Sequence, residues 1–197
     1  MYFDCHTHHA VKENVTAIRQ GVDSCGIHPW DITAECIDSL IVDFDKKVAD
    51  KLFITIGECG LDKLCEAPYE LQKRAFVHQI EVSEHLHMPL ILHCVKALDD
   101  CLQLRKVMKA QQPWIFHGFR GKPQQMEQLI RAGMYVSFGV RYNADSLLSC
   151  PLDRLFLETD DADIPIQNLY TEVSSLRGMS IEALKTAIKF NYLTVFH

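Results

Sequence analysis

Short apolar runs alternate with longer amphipathic segments along most of the chain. The runs are typical of buried strands, and the longer segments carry apolar residues at helical spacing. The pattern predicts strands over residues 1–8, 15–19, 22–27, 52–57, 90–93, 114–117, 135–138 and 155–157. It predicts helices over residues 33–49, 68–88, 98–110 and 123–133, and two C-terminal helices separated by Gly178.

The alternation of strand and helix indicates an α/β fold in which helices cover a parallel sheet. Eight strands, counting the short segment 15–19, favour a TIM-type (β/α)₈ barrel over an open sheet. Such barrels usually need about 250 residues, whereas this chain has 197. We therefore expect a single domain over residues 1–197, a shortened barrel with reduced or missing helices near the N-terminus.

Composition bears on the partners and the cellular location of the protein. The formal net charge is −6, so no overall positive field attracts nucleic acid, although bound cations can supply positive charge locally. The eight cysteines are scattered and form no disulfide framework. No leader segment and no apolar stretch of membrane-spanning length is visible. We expect a cytoplasmic protein that needs neither a membrane nor a stable protein partner.

Potential metal ligands recur at the carboxyl ends of the predicted strands. His6 and His8 are two residues apart, so both imidazoles project from the same face of the first strand. In a parallel barrel the carboxyl ends of the strands meet at one mouth, where active sites form. The candidate ligands at these ends are His6, His8, Glu58, His93, His117 and Asp160. They exceed the three protein ligands of a typical single catalytic metal, and a bridging carboxylate would divide them between two metals.

Six motifs in order along the chain resemble the TatD family of metal-dependent hydrolases, within the amidohydrolase-like barrels. They lie at residues 4–8 (DCHTH), 26–29 (GIHP), 56–62 (IGECGLD), 92–94 (LHC), 117–121 (HGFRG) and 158–160 (ETD). The resemblance implies a (β/α)₈ barrel, a divalent metal centre and hydrolysis of phosphodiester bonds, typically in DNA. It therefore implies DNA or a small phosphoester as the substrate.

The resemblance also implies how the ligands are shared between two metals. His6 and His8 would hold one metal, and His93 and His117 the other. Glu58 would bridge the two ions and so take a direct part in catalysis. The mixed nitrogen and oxygen ligands suit Zn²⁺, Mn²⁺, Fe²⁺ or Ni²⁺, and suit Mg²⁺ less well.

The remaining roles follow from the same resemblance. Asp160 would complete the first metal site and accept a proton from the attacking water. Asp4 would orient a ligand histidine from behind. His28 would contact the substrate phosphate, with Arg120 and Lys96 as further candidates for that contact.

Several positions depart from the family pattern. The family usually carries an arginine two positions after the ligand histidine at 93, where this chain has Val95. Asp161 and Asp163 add negative charge where the family usually has a proline. These departures leave three hypotheses open: a TatD-like deoxyribonuclease, a hydrolase of a small ester or amide with the same metal centre, and a non-catalytic metal-binding descendant.

Overall fold

The computed structural model describes residues 1–11, 13–50 and 52–197. Its strands are β1 (Tyr2–Thr7), β2 (Val15–Arg19), β3 (Ser24–Cys25), β4 (Thr55–Asp62), β5 (Leu90–Val95), β6 (Trp114–Phe116), β7 (Tyr135–Phe138) and β8 (Leu155–Leu157). Its α-helices are α1 (Ile37–Asp50), α2 (Tyr69–Leu86), α3 (Leu98–Val107), α4 (Pro123–Arg131), α5 (Ala144–Ser149), α6 (Ile166–Leu176) and α7 (Ile181–Phe196). These elements form two compact units, Gln20–Trp114 and the remainder of the chain.

The first unit consists of Met1–Arg19 and Ile115–His197. Strand β1 pairs with β2, and β7 pairs with both β6 and β8, in every case in parallel. An isolated parallel bridge between Thr7 and Asp160 joins the end of β1 to the residues that follow β8. Helices α6 and α7 pack against β1 and β8. The buried Tyr170 hydroxyl donates to the carbonyl oxygen of Phe3 at 3.0 Å, which fixes α6 on β1.

The second unit, Gln20–Trp114, contains β3, β4 and β5 with α1, α2 and α3. Strand β4 pairs in parallel with β3 and with β5. Helix α2 covers β4 with its buried face, where Phe76 and Ile80 are fully enclosed. Phe76 also packs on Trp114, with the ring centroids 5.4 Å apart. This buried apolar contact between helix and strand stabilises the unit.

The α/β prediction with parallel strands is confirmed, and so is the reduced N-terminal region. No helix among the described residues lies between β1 and β2 or between β2 and β3. The single domain and the closure of eight strands into a barrel stay predictions. Every helix among the described residues is too short or too polar to span a membrane.

The position of β4 corrects the sequence prediction. A strand was expected over residues 52–57, with Glu58 directly after it, but β4 runs from Thr55 to Asp62 and contains Glu58. Two glycines explain the difference, because they let the backbone of β4 run very close to β5. A Cβ atom on Gly60 would lie only 2.0 Å from the carbonyl oxygen of His93. Because this segment is polar and rich in glycine, its sequence pattern does not indicate the buried strand.

Helix α5 was absent from the sequence prediction. Its six residues carry too little periodicity to be recognised. The helix begins after Asn143, whose side-chain oxygen accepts a hydrogen bond from the Ser146 amide at 3.0 Å. Such an N-cap is the usual start signal of a helix.

Candidate metal-binding site

The first group of candidate ligands lies in the first unit, where β1 meets the residues after β8. The Asp160 amide donates to the His6 carbonyl at 2.9 Å, and the His8 amide donates to the Asp160 carbonyl at 3.0 Å. Asp160 adopts a left-handed backbone with φ +53°, which aspartate tolerates better than most residues. Its Oδ1 atom lies 3.7 Å from His6 Nε2 and 3.6 Å from His8 Nε2. This backbone pairing therefore brings one carboxylate to both imidazoles of the His-x-His pair.

His117 joins this group from the end of β6. Its ring centroid lies 4.9 Å from that of His6. Potential ligand atoms of His6, His117 and Asp160 lie within 4.8 Å of one another. Two imidazoles and a carboxylate at this separation can coordinate a single divalent ion after small side-chain adjustments.

Glu158 lies fully buried behind His117. Its Oε1 atom accepts a hydrogen bond from the Gly118 amide at 2.5 Å and is 3.4 Å from His117 Nδ1. Burial acts to raise the pKa of this carboxyl, but the hydrogen bond and charge of His117, with the charge of His6, outweigh it and lower the pKa. A carboxylate held ionised without solvent needs a cation nearby. The sequence motif contained Glu158, but the spacing alone gave it no role.

Asp4 bonds to Thr159, the residue directly before Asp160. Its carboxylate accepts hydrogen bonds from the amide of Thr159 at 3.0 Å and from the Thr159 hydroxyl at 2.7 Å. Burial raises the pKa of Asp4 to about 7, against the opposing effect of hydrogen bonds from Thr159 and from the backbone of His6. Asp4 thus ties β1 to the segment that carries Asp160, while direct support of a ligand histidine ring stays a prediction.

The second group of candidate ligands lies in the second unit, around Glu58. Glu58 sits at an irregularity in the pairing of β4 with β5, where a bulge redirects side chains. Its Oε1 atom is 2.6 Å from His93 Nδ1 and 3.2 Å from His28 Nε2. Potential ligand atoms of these three residues also lie within 4.8 Å of one another. The sequence expected Glu58 and His93 as ligands, and the structure adds His28 to their immediate neighbourhood.

Asp62, at the end of β4, restrains this second group. Its Oδ2 atom lies 3.3 Å from His93 Nε2 and accepts a hydrogen bond from the Trp30 indole nitrogen at 2.7 Å. Burial acts to raise the pKa of Asp62, but hydrogen bonds from Trp30, the Leu64 amide and His93 outweigh it and lower the pKa. Asp62 is therefore an anion that orients His93 from the side opposite Glu58.

Two buried glutamines of α2 set the backbone on either side of this group. Gln79 accepts from the Ile27 amide at 2.6 Å and donates to the Ile27 carbonyl at 3.2 Å. Gln72 forms the same pair of bonds with Asp62, at 2.8 Å and 3.0 Å. The two side chains are seven residues apart and so share one helix face. Two glutamines at that spacing within an apolar helix face are the sequence signal for this role.

The three side chains proposed to contact substrate differ in their exposure. His28 is half-buried beside Glu58, whereas Lys96 and Arg120 are both exposed. Lys96 adopts a left-handed backbone with φ +54° in the turn between β5 and α3. Val95, the last residue of β5, is half-buried. The phosphate contacts expected of these residues stay predictions.

The donor sets fit divalent metal ions. Each unit gathers imidazole nitrogens and carboxylate oxygens, which are the ligands that Zn²⁺, Mn²⁺, Fe²⁺ and Ni²⁺ accept. Each also has a carboxylate in contact with a candidate ligand histidine, Glu158 in the first unit and Asp62 in the second. Such contacts are the usual outer support of metal-binding histidines. A single centre that shares all six expected ligands stays a prediction.

Comparison with known proteins gives a consistent result. The profile of the family described as TatD related DNase matches residues 1–197. The chain is 27% identical to the uncharacterized metal-dependent hydrolase YcfH of Escherichia coli K12, over 89% of this chain and 74% of that protein. It is 27% identical to the 3'-5' ssDNA/RNA exonuclease TatD of the same organism, over 79% of this chain and 63% of that protein.

A solved structure supports the same fold. The crystal structure of YjjV, a TatD homologue from Escherichia coli K12, superposes with a TM-score of 0.81 at 20% identity. The match covers 99% of this chain and 97% of that chain. The arrangement of strands and helices is therefore that of a TatD-type, TIM-barrel-like protein.

Proposed function

Because the chain belongs to the family of TatD-related DNases, we propose that it is a divalent-metal-dependent hydrolase of phosphodiester bonds in DNA. One observation carries this proposal. Each compact unit brings imidazole and carboxylate groups to within 4.8 Å of one another, and every member of the two groups except His28 is a position where the motifs predicted a ligand. The names of the relatives, which include a metal-dependent hydrolase and an exonuclease, support the same reaction class.

The proposed metal ligands come from both compact units. In the first unit His6, His8, His117 and Asp160 are the proposed ligands. In the second unit they are Glu58 and His93, with Glu58 as the bridge between two ions. Divalent ions bound by these groups would lower the pKa of water and offset negative charge on the phosphoryl oxygens.

Asp160 is the proposed general base. Its carboxylate is more exposed than those of Glu158 and Glu58, so water and substrate can reach it. The carboxylate would accept the proton that the attacking water loses as its oxygen forms a bond to phosphorus. The bond from phosphorus to the leaving alcohol oxygen breaks, and that oxygen takes a proton from solvent. The backbone bonds to His6 and His8 hold this carboxylate in place without involving its side-chain oxygens.

His28, Lys96 and Arg120 are the proposed contacts to substrate phosphate. Lysine and arginine supply most phosphate contacts in DNA-binding proteins, and this chain has a net charge of −6. We therefore propose weak, salt-sensitive binding by these three residues rather than tight binding of long DNA.

The absence of a disulfide among all eight cysteines is compatible with the proposed cytoplasmic location.

The decisive experiment measures hydrolysis of single-stranded DNA and of bis(p-nitrophenyl) phosphate by the purified protein. Each substrate is supplied with Mg²⁺, Mn²⁺ or Zn²⁺ and, separately, with a chelator. We expect cleavage of both substrates with at least one metal and none with the chelator. His93→Ala should lose activity on both substrates. His78→Ala, which alters an outer-face histidine bonded to Asp45, is the matched control and should keep it.

Other outcomes would select the competing hypotheses. Turnover of the small ester with DNA left intact in every metal would contradict the nuclease and favour a hydrolase of small substrates. Metal binding without turnover of either substrate would favour a non-catalytic descendant.

A further inference from the structure

Trp30 is a large aromatic residue that is exposed and yet held in place. Its side chain remains 66% exposed, although tryptophan is usually well buried. The indole nitrogen donates to the buried Asp62 carboxylate at 2.7 Å, and the Trp30 amide donates to His28 Nδ1 at 3.2 Å. Trp30 also lies in a short 3₁₀ helix that begins with Pro29, whose φ is fixed. The ring is therefore ordered before any ligand arrives.

The ring stands directly beside the second group of candidate ligands. Its centroid is 5.0 Å from that of His28 and 5.8 Å from that of His93, in edge-to-face arrangements. Asp62 bonds to Trp30 and also contacts His93. A single carboxylate thus fixes the position of the exposed indole relative to a proposed metal ligand.

A preordered aromatic surface suits a planar ligand. Binding to it requires little loss of side-chain entropy, and exposed apolar area is removed from water. The face of an indole attracts nucleobases by stacking, whatever their sequence. It offers a phosphate group nothing comparable, because its one donor is already bonded to Asp62.

We propose that Trp30 is a stacking platform for the nucleobase next to the phosphate that is hydrolysed. This inference rests on the proposed function, since it places the base of a nucleic-acid substrate beside the proposed metal ligand His93. Bases paired inside a duplex cannot reach such a platform, so the substrate is single-stranded or has an unpaired end. In a chain of net charge −6, stacking also supplies affinity that does not depend on phosphate contacts.

The test compares two oligonucleotides that differ only in their bases. One is a short single-stranded oligonucleotide with hydrolysis-resistant phosphorothioate linkages, and the other is its abasic counterpart of equal length. Affinities of the full chain are measured by fluorescence anisotropy of an end label. Trp30→Ala should weaken binding of the base-bearing strand by about 5-fold or more and leave the abasic strand unaffected. Phe190→Ala removes an equally exposed aromatic ring (66%) from the other unit and should change neither affinity.

Trp30→Phe separates stacking from a positioning role. Phenylalanine keeps an aromatic face but loses the hydrogen bond to Asp62, so most of the preference for the base-bearing strand should remain. If Trp30→Phe loses that preference as fully as Trp30→Ala, the indole acts through Asp62 and the stacking proposal is overturned. Equal weakening of both oligonucleotides by Trp30→Ala, or weakening of neither, would overturn it as well.

Failure of this inference can be told apart from failure of the proposed function. If the wild type hydrolyses phosphodiesters while Trp30→Ala changes the affinity for both oligonucleotides equally or for neither, the platform is wrong and the hydrolase stands. If no metal supports hydrolysis but Trp30→Ala selectively weakens binding of the base-bearing strand, the hydrolase is wrong, and Trp30 stacks on nucleobases without being part of a hydrolytic site.

Discussion

Replacing Glu158 by glutamine tests how the first group of ligands is supported. The substitution keeps the size of the side chain and its acceptor for the Gly118 amide, but removes the charge beside His117. Glu158 Oε1 is 3.4 Å from His117 Nδ1, so Nε2 is the His117 atom that can face a metal. Loss of such an outer carboxylate typically lowers metal affinity by about 10- to 100-fold, or roughly 1.4–2.8 kcal/mol.

The metal-free protein should respond differently. Glu158 is fully buried, so a neutral isostere avoids the cost of burying its charge. The isostere also loses the charge interaction with His117 and His6 that lowers the pKa of Glu158, so the two effects oppose each other. We expect the unfolding free energy of metal-free Glu158→Gln to fall by no more than about 1 kcal/mol. Loss of metal affinity without an equal loss of stability would distinguish support of His117 from a purely structural role.

Calorimetric titration of metal-depleted protein with Mn²⁺ or Zn²⁺ gives the affinity, and chemical denaturation gives the stability. Glu172→Gln is the matched control, because that glutamate is exposed and bonds to Tyr142. Wild-type metal affinity in Glu158→Gln would contradict the support of His117 by the Glu158 carboxylate. So would a large loss of stability in the metal-free variant.

Three further predictions concern single positions. Gly60→Ala should destabilise the fold by about 1–3 kcal/mol and reduce hydrolysis, because its Cβ would meet the His93 carbonyl. Gly21→Ala also places alanine at a positive φ (+73°) but has nothing within 4 Å of the new Cβ, so it is the control that isolates the effect of the clash in denaturation and activity assays. Asp160→Asn should lower kcat on bis(p-nitrophenyl) phosphate by roughly 10²- to 10⁴-fold while the protein stays folded; near-normal kcat would rule out the proposed base. Burial raises the pKa of the Cys150 thiol from 9.0 to about 12, so its contribution to stability is present below pH 9 and is lost as the pH rises toward 12. Between about pH 8 and pH 11 the wild type should therefore lose up to about 2.7 kcal/mol more unfolding free energy than Cys150→Ser, and equal losses would contradict this.

The strand-end ligands were predictable from sequence because two physical regularities coincide. Alternating side-chain direction places His6 and His8 on one face, and parallel strands end at one edge of a sheet. His117 was predicted as the last residue of its apolar strand and comes directly after β6. These features depend on the spacing of residues close together in the chain, which can be read directly from the sequence.

The supporting contacts were not predictable in the same way. Strand β4 was placed too early because its polar, glycine-rich residues lack an apolar pattern, and only the close approach to β5 explains them. The bonds from Gln79 to Ile27 and from Asp4 to Thr159 join residues 52 and 155 positions apart. Trp30 gave no signal as a functional residue, because its importance comes from being exposed, and exposure depends on the whole fold.

Elemental analysis of the purified protein tests the proposal that the chain binds two divalent metal ions. We expect two equivalents of divalent metal per chain, and a reduced content in His93→Ala and in His117→Ala. A metal-free protein that takes up no divalent ion on titration would contradict it. So would metal content that stays unchanged in both variants.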